Sequence, residues 1–140
     1  MAANATIEGP QPLVVLRDRR VTATAPNVDR LVVGCAGVVI LDGRGYAAQL
    51  RTHRWCPWLV AEDRRRMVGG LLRQVEAVRL TLDGLGLTDV PVRGVIDDPG
   101  TRRVPGRGRR AAARQLARLA AGPPVLDADD VRRVAWILGV

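Results

Sequence analysis

Asp29 and Asp42 are the residues of this sequence whose type and spacing point most directly to chemistry. Two apolar runs, Val28 to Val33 and Val38 to Asp42, flank Gly34-Cys35-Ala36-Gly37, and glycines bounding so short a connection favour a tight turn. With Cys35 and Ala36 as the two loop residues, the hairpin register sets Asp29 directly opposite Asp42. Cβ atoms of directly opposed residues lie about 5 Å apart, so two carboxylates there repel. A hard divalent cation such as Mg²⁺ offsets the repulsion, because it takes carboxylate oxygens and keeps water positions open for a phosphate. Arg44, two residues past Asp42, falls on the same strand face and adds fixed positive charge. A three-residue loop would send the two carboxylates to opposite faces, so this chemistry depends on register. Each acid also has a local reading: Asp29 follows Pro26-Asn27 and caps a turn, and Asp42-Gly43 is a common turn dipeptide.

The elements that must position these residues form a small α/β pattern. Residues 1–11 are polar and read as a flexible start, with one domain over residues 12–140. Strands are expected near 12–17, 28–34, 37–44 and 90–96, with a shorter one at 49–52. Pro57, within Trp55-Cys56-Pro57-Trp58-Leu59-Val60, argues there for an edge strand or an irregular crossing. The clearest helix runs from Glu62-Asp63 to about Asp83, with Met67, Val68, Leu71, Leu72, Val75, Val78 and Leu82 as its apolar stripe. Acids open it and Gly84 and Gly86 close it. A helix of that length permits a crossover that lays strand 90–96 beside the hairpin. A second helix is expected over 109–121 with Ala112, Leu116 and Leu119 inward. A third is capped by Asp127 and buries Val131, Val134, Ala135 and Leu138. The expected architecture is a mixed central sheet with the long helix packed on one face.

Composition bounds the partners. The net charge of +8 and pI near 11.4 suit a polyanion, since arginines that replace counterions at phosphates gain the entropy of ion release. All 22 basic residues are arginine and none is lysine, a pattern that coding bias alone can also produce. Residues 101–110 form a basic, Gly- and Pro-rich loop in which Arg102, Arg103, Arg107, Arg109 and Arg110 could track a phosphate backbone, or remain solvated. Trp55 and Trp58 could stack on bases, although tryptophans beside a proline more often close one edge of a core. His53, the only histidine, has no evident partner and reads as surface. No apolar run approaches the roughly 20 residues that span a bilayer, and the start lacks a secretion signal, so a cytoplasmic protein with reduced Cys35 and Cys56 is expected.

Through Asn27 to Gly34, Gly37 to Tyr46, Leu72-Arg73-Gln74-Val75 and Asp89 to Val95, the sequence resembles the NERD or nuclease-related domains. These belong to the PD-(D/E)xK superfamily, and the resemblance implies a restriction-endonuclease-like α/β fold. It also implies that Asp29 and Asp42 bind Mg²⁺, that Arg44 occupies the position of a lysine that activates water, and that Gln74 lies near the active centre. Gln74 also reads simply as a partly exposed helix residue beside the apolar stripe. The chain departs from the family pattern at Arg44, at Arg30 where a histidine is common, and upstream, where Glu8 beside Gly9-Pro10 is the only acid before Asp18. Arginine keeps its proton at any working pH, so it stabilises charge without acting as a base. The expected function is nucleic-acid binding, DNA foremost, with catalysis impaired or lost. The alternative is an active Mg²⁺-dependent nuclease, and a protein partner or homodimer is the other class of contact.

Overall fold

A computed structural model of the chain describes residues 5–7, 12–19, 28–42, 53, 55–96 and 122–139. Among the described residues, five strands form one mixed sheet in the order of the chain: β1 (Ala5–Ile7), β2 (Leu13–Arg19), β3 (Val28–Gly34), β4 (Gly37–Asp42) and β5 (Val92–Ile96). The pairs from β1 to β4 are antiparallel. Strand β5 lies parallel to β4, reached through the helix α1 (Pro57–Gly84), as a parallel neighbour requires a crossover. A second helix, α2 (Ala128–Leu138), follows.

Strand alternation sorts the sheet into two faces. Val14 and Leu16, Leu31 and Val33, Val38 and Ile40, and Val92 share one buried cluster with Leu71, Val78 and Leu82 of α1 and Val131, Val134, Ala135 and Leu138 of α2. Both described helices therefore cover the same face. Val32, Val39 and Leu41 form a smaller cluster on the other, with Leu13, Val15 and Val95 against it. None of the described helices is long and apolar enough to cross a membrane.

The sequence expectations need four corrections. Residues 5–7 form a strand against β2, because a third antiparallel partner for their N–H and C=O groups is available along that edge. Strand β2 runs two residues further than expected, to Arg19. Helix α1 starts at Pro57, at the first-turn position where a missing N–H costs nothing, so Pro57 initiates a helix rather than interrupting a strand. Val68 and Leu72 are exposed, because the stripe that meets the sheet is narrower than the apolar pattern. The strand expected at 49–52, the helix expected at 109–121 and the basic loop 101–110 lie outside the described residues.

The C-terminal helix forms as its sequence dictates. The Asp127 carboxylate accepts the Asp130 N–H at 2.7 Å, and Asp129 and Asp130 add negative charge to the first turn. Asp127→Ala is expected to cost about 1 kcal/mol of unfolding free energy. A denaturation midpoint indistinguishable from wild type would show that the cap carries no stability. Ahead of this helix, the Cys35 carbonyl accepts the N–H groups of both Val125 (2.7 Å) and Leu126 (2.9 Å), which ties the β3–β4 turn to the segment leading into α2.

Candidate functional site

The β3–β4 turn is the two-residue form. Gly34 pairs with Gly37 and Arg30 with Leu41, and the same register carried one residue on sets Asp29 opposite Asp42. The other side of β3 adds a third acid. Arg17 pairs with Arg30 and Arg19 with Val28, which leaves Asp18 facing Asp29. Asp42 in turn pairs with Ile96 of β5. One rung of the sheet thus reads Asp18, Asp29, Asp42, Ile96 at the backbone level. It lies two residues beyond Leu16, Leu31, Ile40 and Gly94, with the alternation parity of the helix-bearing face.

Neighbouring strands run about 4.8 Å apart, so three carboxylate-bearing positions crowd into roughly 10 Å across the sheet. Like charges so placed are destabilising unless a cation or proton intervenes. The donor set is all oxygen and anionic, which fits a hard divalent ion such as Mg²⁺ and does not fit a thiolate-seeking metal. Among the side chains described, no group of three His, Cys, Asp or Glu residues is placed to hold a metal; those of Asp18, Asp29 and Asp42 are not among them.

Asp18 was not expected at this site. The link between β2 and β3 is eight residues long, from 20 to 27, so no tight turn announces the register. The alternation in Val14, Leu16, Asp18 was the available signal, since an acid in phase with two core residues marks a change of environment.

Helix α1 supplies the other described candidate. Gln74 is 0% exposed on the sheet-facing stripe between Leu71 and Val78, so it is no partly exposed helix residue. Gln74 makes a contact with another group, but its amide Oε1 is buried and accepts no hydrogen bond among the described residues, an exception to the rule that buried polar atoms are paired. Arg44 and the arginines Arg102, Arg103, Arg107, Arg109 and Arg110 lie outside the described residues.

His53 is not plain surface. Its Nδ1 lies 2.5 Å from Oδ2 of Asp63, and Asp63 is only 3% exposed on the inner side of α1. The contact is one hydrogen bond between the imidazole and the carboxyl group, and it gives the buried Asp63 side chain a partner. The signal in sequence was Asp63 itself, which stands in helical phase with Gly70, Leu71, Gln74 and Val78. The bond fixes the turn ahead of α1, where the Cys56 N–H donates to the His53 carbonyl at 2.8 Å and the Val60 N–H to the Cys56 carbonyl at 3.1 Å. Cys35 and Cys56 are both free thiols.

The tryptophans overturn a second expectation. Trp55 is 83% and Trp58 69% exposed, so neither closes an edge of the core. Pro57 places Trp58 in the first helical turn, where its side chain points away from the sheet-facing stripe.

Compared with family models, with curated proteins and with solved structures, the chain matches none.

Proposed function

We propose that this chain is a nuclease-related domain of restriction-endonuclease-like fold that binds nucleic acid, DNA foremost, with phosphodiester cleavage impaired or lost. The observation that carries the reading is the aspartate rung on an antiparallel meander, β2 to β4, followed by a helical crossover to the parallel strand β5. Asp29 and Asp42 stand at the two positions where the resemblance to nuclease-related domains implies metal ligands. The charge of +8 supplies the attraction for a phosphate backbone.

Asp29 and Asp42 would hold Mg²⁺, with Asp18 beside them. The ion, when bound, neutralises phosphate charge and lowers the pKa of a coordinated water. Arg44 stands where a base or water-activating lysine is expected. Its guanidinium stabilises charge that builds on a phosphorane but takes no proton from water, which removes one contribution to cleavage.

The second reading, an active Mg²⁺-dependent nuclease, is favoured by Asp18, which supplies a third carboxylate position from the sheet. One pair of experiments separates the two. Binding of a labelled DNA duplex is measured with EDTA present, and cleavage is measured with Mg²⁺ or Mn²⁺ for the wild type and Asp42→Ala. The proposal expects salt-sensitive binding that persists in EDTA and no cleavage. Metal-dependent cleavage lost in Asp42→Ala would establish the second reading instead. Absence of DNA binding even at low salt would sink the nucleic-acid assignment.

A further inference from the structure

We propose that the N-terminal end of α1 is a stacking site for the unpaired bases of single-stranded nucleic acid, with Trp55 and Trp58 as platforms and Arg64 and Arg65 on the phosphates. This rests on the nucleic-acid-binding reading and gives it a place on the molecule and a form of strand.

Tryptophan carries the largest apolar surface of any side chain and is highly buried on average. All three of the chain's tryptophans stand more than two-thirds exposed, and two of them, Trp55 and Trp58, lie within four residues of each other. Trp58 begins a stripe along α1 that continues at helical spacing through Ala61, Arg65, Val68 and Leu72. Leu72 is 62% exposed. A groove of about 740 Å³ runs along this stripe, lined among the described residues by Val60, Ala61, Val68 and Leu72 with Arg64 and Arg65. From Trp58 to Leu72 the stripe is about 21 Å long at 1.5 Å per residue. Helix α1 therefore has two apolar faces, and the sheet covers only one of them.

Charge selects the occupant. Arg64, Arg65 and Arg66 follow one another, and Glu62 offsets part of their charge through contacts of 2.9 Å to Arg65 and 3.7 Å to Arg66. Asp63, the other acid of this turn, is buried against His53. The turn is net basic in a chain of net charge +8. A second copy docked symmetrically on this face would bring the two arginine runs together, a repulsive contact. A nucleic-acid strand meets the same residues with opposite charge. Its bases must be unpaired, because an aromatic ring stacks on a base face that a duplex keeps inside.

The platform is also preorganised. The His53 to Asp63 bond and the Cys56 N–H to His53 carbonyl bond hold the turn that carries Trp55 against the helix that carries Trp58. Little conformational freedom is then lost when a base stacks.

The test uses the full chain with Trp136→Phe, so that only Trp55 and Trp58 emit, and an oligothymidylate of about 15 nucleotides, within the range of known single-strand sites. The oligonucleotide is expected to quench the emission. Trp55→Ala with Trp58→Ala should weaken its binding at least about tenfold by anisotropy, with the circular dichroism spectrum still that of the folded chain. Arg64→Ala with Arg65→Ala should flatten the salt dependence, reducing the slope of log K against log salt by about 1.4. Undiminished binding in the double tryptophan variant would overturn the stacking site while the nucleic-acid reading stands. No binding of either single strand or duplex at low salt would overturn both. Self-association of the wild type abolished by the tryptophan substitutions would assign the face to a second copy.

Discussion

Gly37→Ala is expected to lower the unfolding free energy by on the order of 3 kcal/mol, a large part of what a domain of this size has. Gly37 has φ +141°, a conformation that L side chains rarely adopt. A Cβ there would also sit 2.5 Å from the carbonyl oxygen of Pro91 and 3.3 Å from its carbonyl carbon. Those are backbone atoms and cannot swing aside. The Pro91 oxygen is fixed because it accepts the Val38 N–H at 2.9 Å, and the next residues begin the parallel ladder at Val38 and Val92. Relief of the clash therefore costs the start of the β4–β5 pairing. Gly84→Ala provides the contrast, since a Cβ at that position would meet nothing within 4 Å and the backbone φ is ordinary. Urea melts of the two variants check the argument: equal midpoints would show that the Gly37 contact carries no energy.

Leu31→Ala should destabilise by about 2 to 5 kcal/mol, the range for deleting a fully buried leucine side chain. Leu31 is 0% exposed and pairs with Leu16 on one side and Ile40 on the other, beneath the two helices. Neighbours on adjacent strands are held in register and collapse only partly into the space left. Leu72→Ala, on the outer face of α1, should change stability by less than about 0.5 kcal/mol. This pair separates the face of α1 that builds the core from the one that does not. A Leu72 variant as damaged as the Leu31 variant would mean that the outer face is packed.

What the sequence made legible was local. The hairpin register follows from two glycines around two residues, and the structure keeps it through Gly34–Gly37 and Arg30–Leu41. The cap and buried face of α2 follow from a side chain three residues from the N–H it accepts and a 3.6-residue period. The misses were relations between distant segments. Ala5–Ile7 has too few residues to declare itself and exists as a strand only through β2. Asp18 meets Asp29 across a connection whose length sets no register. Asp63 and His53 lie ten residues apart, one inside a helix and one before it. Pro57 misled because a proline that excludes a central strand is equally suited to open a helix. The chemistry of the candidate site was legible as residue types at Asp29 and Asp42, whereas its extension to Asp18 required the sheet.

The order of strands in the sheet, identical to their order in the chain, bears on synthesis at the ribosome. Every pairing from β1 to β4 closes between sequence neighbours, and local pairings form fastest because little chain entropy is lost in closing them. Only the β4–β5 pairing waits for the whole of α1. The nascent chain can therefore assemble its aspartate rung as a meander once β4 has emerged, well before the arginines of residues 102–118 leave the exit tunnel. The three aspartate positions acquire their pairing while the most basic part of the chain is still being made, so the two need not find each other first.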